Sequence, residues 1–371
     1  MQEIDVSALT AQVLWAAFAL AVAFGAIAQR THFCTMGAVA DIVNIGDWTR
    51  MRMWLLAIGV AMIGFNAMVA LGWVEAGQSI YASPRLLWLS NIVGGLLFGI
   101  GMVLASGCGS KTLVRIGGGS LKAMVVFAVL AISAYATLRG VTAVARVATL
   151  ETVDLTLASG QDLPSMLAAA TGWSRAWLAL VVGGGLGALL IGFVLARREG
   201  RSAEVLAAGL GIGAVVVGVW WVSGRLGYVA EHPLTLEQVF LATASQRMES
   251  LSFVAPIAST MDWLILFSDK SKVLNVGIVT TLGVISGSAL MALATRSFYW
   301  EGFGGVEDTA NHLVGAVLMG VGGITAMGCT VGQGLSGVST LALGSFLALA
   351  GIIAGAVIGL RYQVWRLERM V

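Results

Sequence analysis

The chain has 371 residues, 58% of them hydrophobic and 11% charged, with a formal net charge of +2 and a mean hydropathy of +0.90. Soluble domains carry about 25% charged residues, so water is excluded as the main solvent, and so small a net charge argues for no nucleic-acid partner. The three cysteines and three histidines are scattered, which excludes a disulfide framework and a zinc cluster and leaves no metal site or cofactor in the reading.

The first apolar stretch, 13–28, ends in Ala26-Ile27-Ala28, which resembles a signal-peptide cleavage site. Glu3 and Asp5 precede it and no basic residue does, so it reads as a retained first membrane helix. Charge-free runs at 54–74, 86–105, 176–196, 205–224 and 273–295 each reach the roughly 20 residues that cross a bilayer. Residues 309–360 hold no Asp, Glu, Lys or Arg, enough for two spans and a connection. The pattern predicts nine spans centred near residues 20, 64, 96, 130, 186, 214, 284, 318 and 349, the fourth a short one at 123–138 after Lys122. Between the fourth and fifth, 139–174 is mixed in polarity, contains Pro164, and reads as an extramembrane or interfacial connection.

Ser106-Gly107-Cys108-Gly109-Ser110 and Met327-Gly328-Cys329-Thr330 each close an apolar run, with their cysteines 221 positions apart. The same offset places Val93 on Val314, Gly94 on Gly315, Gly99 on Gly320 and Gly101 on Gly322. With small gaps the match extends to Gln29-Arg30 and Gln246-Arg247, Phe33 and Phe253, and Asp41 and Asp262, though Cys34 has no partner near Phe253. Spans one to four then match six to nine, and a shift by five spans gives the halves opposite orientation, the inverted-repeat plan of many transporters. The chain divides into a first repeat at 1–140, a connection and linker helix at 141–203, and a second repeat at 204–371. Arg197, Arg198, Arg201, Arg361, Arg366 and Arg369 place the fifth-to-sixth loop and C-terminus in the cytoplasm and the N-terminus outside, although Arg225, Arg247, Lys270 and Lys272 run against the rule.

Much of the glycine content, 49 residues, serves helix packing; Gly94-Gly95 and Gly183-Gly184-Gly185 read so. Those around Cys108 and Cys329 bracket a polar residue at a helix end. Irregular backbone at membrane depth is tolerated only where it is buried in protein or lines a cavity. Loops there can dip into the bilayer and offer thiols, hydroxyls and amide N–H groups to a solute.

Phe33-Cys34-Thr35-Met36-Gly37, Ser106-Gly107-Cys108-Gly109 and Gly328-Cys329-Thr330-Val331-Gly332-Gln333-Gly334 resemble the three cysteine motifs of the YeeE/YedE family of bacterial inner-membrane proteins. The resemblance spans nearly the whole chain. It implies an all-α, hourglass-shaped membrane protein with short re-entrant helices, importing thiosulfate or a related sulfur anion. It also implies that Cys34, Cys108 and Cys329 line a neck and pass the anion along by S–H hydrogen bonds, and that a TusA-like sulfur carrier on a separate chain is a partner. The chemistry is consistent. A dianion in hydrocarbon needs donors at every stage, while a neutral thiol is a weak donor that releases what it holds. Gly107, Gly109, Ser110, Gly328, Thr330 and Gln333 join the expected path; the hydroxyls donate either to a solute or to their own backbone, and Gln333 either donates its amide or caps a helix.

Arg30, His32, Lys111 and Arg115 either attract the anion or snorkel to headgroups. Asp41 and Asp262 read as structural rather than proton-carrying. The other readings of the thiols are a membrane sulfurtransferase that hands on persulfide sulfur, which needs a thiolate beside a cation such as Arg30 or His32, and uptake of a soft metal. The leading expectation is a transporter, not an enzyme.

Overall fold

Helices of two lengths build the molecule. A bilayer core about 30 Å thick takes about 20 helical residues at 1.5 Å each; helices of 9 to 11 residues reach only halfway. The computed structural model describes residues 5–233 and 235–369, so Glu3 lies outside the described residues. In chain order, α1 (Val6–Arg30) is long, α2 (Thr35–Ile45) is short and α3 (Thr49–Ala70) is long. The pattern then repeats with α4 (Trp88–Leu104), α5 (Gly109–Gly117) and α6 (Leu121–Arg139). Asp5 starts α1 by accepting from the N–H groups of Ser7 and Ala8, so this acidic residue is a helix cap. Ser120 caps α6, which therefore starts two residues before the predicted fourth span.

The connection forms α7 (Val141–Thr149) and α8 (Leu163–Thr171), with Pro164 in the first turn of α8 behind an Asp162 cap. Between them β2 (Leu155–Thr156) pairs antiparallel with β1 (Arg85–Leu86), tying the connection to the segment before α4. The linker span is α9 (Arg175–Leu178), a π-helical turn at Ala179–Gly183, and α10 (Gly184–Leu195).

The second half opens with α11 (Ala203–Trp221), capped by Ser202. A polar connection follows, pinned by β3 (Tyr228–Val229) against β4 (Val239–Phe240). The short α12 (Ala255–Ile265) and long α13 (Val276–Ala294) come next, then α14 (Val306–Thr325), a short helical stretch at 330–339 and α15 (Leu343–Glu368). Eight helical segments of the described residues are long and apolar enough to cross a membrane, and the protein is a multi-pass, all-α membrane protein. The predicted span near 318 is α14, a 20-residue helix outside those eight. Its first turn carries Glu307 and Asp308, and its placement follows from packing against α4 and α6, not from hydropathy.

Packing relates the two halves. A Cβ at Gly94 on α4 would stand 2.7 Å from the carbonyl oxygen of Gly322 on α14, and one at Gly101 would stand 2.7 Å from that of Gly315. Gly101 is the sequence counterpart of Gly322, and Gly94 that of Gly315. Exchanging each glycine for its counterpart turns one contact into the other, the reciprocity that a two-fold relation demands. Flanking pairs repeat it: α15 packs on α4 as α6 packs on α14, and α1 packs on α13 as α11 packs on α3. Not every glycine serves this purpose. A Cβ at Gly183 would strike Asn66, whereas Gly184 and Gly185 face open space, which corrects the packing role expected of them.

Candidate functional site

Three long helices end in the same way. In α1, α4 and α14 the N–H of Phe33, Gly107 and Gly328 donates to a carbonyl five residues back, on Ala28, Met102 and Gly323. The residue before each adopts the left-handed conformation: His32 (φ 51°), Ser106 (φ 55°) and Met327 (φ 58°). This helix-ending turn normally uses glycine there, and a side-chain-bearing residue in that conformation costs about 1–2 kcal/mol. The next residue after each turn is a cysteine, and each cysteine begins a short helix. The thiols therefore sit where a long helix ends and a short one begins, a position that sequence spacing alone read as an irregular loop.

All three thiols are buried, with 8%, 1% and 0% of Cys34, Cys108 and Cys329 exposed. Cys34 Sγ accepts from the Gly37 N–H at 3.4 Å, and Cys329 Sγ from the Gly332 N–H at 3.3 Å. Cys108 Sγ lies 3.2 Å from Ser110 Oγ. Where sulfur only accepts, the S–H proton stays available for another acceptor. Cys108 is the common electrostatic neighbour of the other two. Short-helix N-termini carry partial positive charge, and here three of them accompany the thiols. The equivalent position before α12 holds Val254, so the fourth such helix has no thiol.

Aromatic rings wall this region. Phe33 stacks on Trp54 with centroids 5.9 Å apart, and Phe253 packs on Phe24 at 5.5 Å. Gly334 admits the Trp54 ring, since a Cβ there would come within 2.6 Å of it. A Cβ at Gly109 would stand 3.1 Å from the Phe253 carbonyl oxygen. Gly107 and Gly328 are less crowded: a Cβ at Gly107 would meet only the Lys111 side chain, and one at Gly328 the Gln333 side chain and the backbone of Gly332 and Gln333, at 3.1 Å or more.

Two cavities approach the thiols. One, of about 380 Å³, is lined by Gln29, His32, Ser106, Lys111, Arg115 and Glu301 among others. The other, of about 420 Å³, includes Arg139, Arg146, Glu249, Ser252, Asp262, Met327 and Gly328. The left-handed residues beside Cys34 and Cys108 thus face the first cavity, and the one beside Cys329 faces the second. A third space, lined by Tyr81, Asn91, Gln333 and Ser345 with others, measures about 10 Å³, near the size of one water.

The remaining expected residues divide. Lys111 lines the first cavity and enters no ion pair among the described residues. Arg115 lines it too but is bound to Glu301 at 3.0 and 3.1 Å, and Glu301 also holds Lys122 at 2.7 Å. Burial works to raise the Glu301 carboxyl, but the hydrogen bonds from Lys122 and Arg115 outweigh it and hold it at about 2. Arg30 is exposed at the end of α1 and is not among the cavity's lining residues. The amide of Gln333 donates to the Ala326 carbonyl at the end of α14. Thr330 Oγ1 is buried with no partner. Asp41 pairs with Arg50 and Asp262 with Lys272, a structural use at both matching positions. Glu301, Glu249 and Tyr81 were not singled out in the sequence; the unmatched cations Arg115 and Lys122 were the available signal for Glu301. Replacing Glu301 by Gln leaves those cations without a counter-charge. The expected loss is about 1–2 kcal/mol for so partly exposed a cluster, read as a lower melting temperature of the purified protein, and an unchanged melt would contradict it.

Buried thiols at the starts of short helices, with cavities lined by residues next to them in the chain, sit within a multi-pass helical membrane protein, the setting of a transport path. The chain belongs to the sulphur-transport family, whose profile matches residues 30–358. This is the YeeE/YedE family expected from the cysteine motifs. It is 26% identical to the thiosulfate transporter TsuA of Escherichia coli (strain K12) over 340 residues, 89% of each chain. Identity to the thiosulfate transporter TsuA of Spirochaeta thermophila is also 26%, over 362 residues, covering 92% of this chain and 97% of that one. The probable transporter YedE of E. coli is 29% identical over 111 residues, 29% of this chain and 25% of the relative. The protein is accordingly a multi-pass membrane protein of a sulphur-transport family.

Proposed function

We propose that this protein imports thiosulfate, or a close sulfur-containing anion, across a bacterial inner membrane into the cytoplasm through a neck lined by Cys329, Cys108 and Cys34. The observation that carries the reading is the recurrence of one local structure: three buried thiols, each between a left-handed long-helix end and a short-helix N-terminus, with a cavity lined by the left-handed residue. A dianion entering such a neck meets S–H donors and helix-end partial charges but no full cation to trap it. With the N-terminus outside and the C-terminus cytoplasmic, the cavity at Met327 and Gly328 is the outer one. The order of passage is then Cys329, Cys108, Cys34, and Lys111 receives the anion in the inner cavity. The halves at 1–140 and 204–371 form this path, and 141–203 links them. A TusA-like carrier would meet the product at the cytoplasmic side. The sulfurtransferase reading needs a cation held against a thiol; among the described residues no side-chain cation hydrogen-bonds to one, and Arg30 is exposed.

The test is growth of a cysteine-requiring bacterium, lacking its own uptake systems, on thiosulfate as sole sulfur source. Expression of this chain is expected to restore growth. Failure of well-expressed protein to do so contradicts the assignment. In the same strain Lys111→Gln is expected to slow uptake several-fold without abolishing it, because one exit charge is lost while the thiols remain; full-rate uptake by that variant removes Lys111 from the path.

A further inference from the structure

The outer cavity contains a carboxylic acid in a place where an anion has to pass. Glu249 lies in the connection between α11 and α12, outside the spans, and lines the cavity that borders Gly328. Its backbone is fixed at both ends of the residue: the Glu249 N–H donates to Ser223 Oγ at 3.2 Å, and the Ser223 hydroxyl donates to the Glu249 carbonyl. One carboxyl oxygen, Oε2, accepts from Ser245 Oγ at 3.4 Å. The other, Oε1, is sealed from solvent and makes no well-formed hydrogen bond among the described residues, although the Ala244 N–H lies near enough the carboxyl to favour its charged form. No salt bridge reaches this carboxyl among the described residues.

The charged and titratable groups around it come from several elements. Arg139 closes α6 and Arg146 lies on α7, but Arg146 is committed to Glu151. Tyr135 on α6 also lines the cavity, and Asp262 on α12 is paired with Lys272. Arg247 in the same connection donates to the Ser79 carbonyl, and Tyr81 is an electrostatic neighbour of the carboxyl. None of these supplies Glu249 with a counter-charge at hydrogen-bonding distance. A sealed, unpaired carboxylate is costly, and a second, doubly negative charge beside it raises that cost further.

We propose that the outer cavity takes up its anion together with a proton, held on the Glu249 carboxyl. This rests on the sulfur-anion reading of the site. Protonation removes the negative charge the anion would meet. Burial pushes the Glu249 carboxyl up to about 7, against the pull of the Ala244 N–H and the Ser245 hydroxyl. The group is therefore neutral at acidic external pH and ionised at alkaline pH. By linkage, anion binding raises proton affinity by the same factor that protonation raises anion affinity.

The test is thiosulfate binding by the purified full chain between pH 6 and 8. Wild-type affinity is expected to fall by about tenfold per pH unit once Glu249 ionises, as one linked proton requires. Glu249→Gln is expected to bind with an affinity near the wild-type value at pH 6, without that slope. A flat wild-type profile, or a Gln variant with the wild-type slope, overturns the proposal. A measurement independent of any variant is proton uptake on adding thiosulfate to wild-type protein in weak buffer at pH 7. Uptake is expected, and none overturns the proposal. If wild-type protein binds no thiosulfate at any pH, the substrate assignment falls and this inference with it, whereas binding without pH dependence removes only the proton.

Discussion

Alanine at Cys108 or at Cys329 is expected to reduce thiosulfate uptake by about ten- to a hundredfold while leaving the folded protein in the membrane. The magnitude follows from the bond removed. A hydrogen bond to a charged group contributes about 1.5–3 kcal/mol, and every 1.36 kcal/mol is a factor of ten in rate. Alanine also frees a nearby donor, the Ser110 hydroxyl beside Cys108 or the Gly332 N–H beside Cys329, so the loss is large rather than total. Cys108 should be the more sensitive site, since it is the common neighbour of the other two thiols. Serine at either position retains an O–H donor and is expected to keep part of the activity. Uptake rates at matched expression measure this. Full activity in both alanine variants would leave the thiols as mere small buried side chains.

Gly322→Val is expected to prevent accumulation of folded protein. A Cβ at Gly322 would stand 2.4 Å from the Phe98 nitrogen and 2.7 Å from the Gly94 carbonyl oxygen. Both obstacles are backbone, so no side-chain rotation relieves them, and even mild overpacking costs about 1–3 kcal/mol. Gly94→Val should behave alike, its Cβ falling 2.4 Å from the Ala326 nitrogen, at the C-terminal end of α14. Gly184→Ala is the control: nothing lies within 4 Å of its Cβ, and alanine is the better helix former by about 1 kcal/mol. Monodisperse yield in detergent separates these outcomes. Normal yields of Gly322→Val would mean that α4 and α14 do not meet as described.

The long helices were legible because lipid imposes a simple rule, and charge-free runs of about 20 residues satisfy it. The span at α14 was read from the charge-free run 309–360, and the helix begins three residues before that run, at Val306, taking in Glu307 and Asp308. The offset of 221 revealed related glycines, but only packing shows Gly94 against Gly322 and Gly101 against Gly315. The short helices were harder. Nine residues such as Gly109–Gly117 contain too few apolar positions to signal a span, and the preceding Ser106 and Met327 hide the turn by standing where glycine is usual. Cysteine positions were plain; their shared setting was not. Least legible were the acids of the cavities. Glu301 meets Arg115 across 186 positions, and Glu249 is defined by the partners it lacks, so nothing local marks either one.

Uptake of radiolabelled thiosulfate into liposomes holding only this purified protein tests the central claim most directly, because no other carrier or enzyme is present. Time-dependent accumulation is predicted for the wild-type chain, and accumulation near that of protein-free liposomes for the variant with alanine at Cys34, Cys108 and Cys329. Equal accumulation by wild type and triple variant would contradict passage through the thiols.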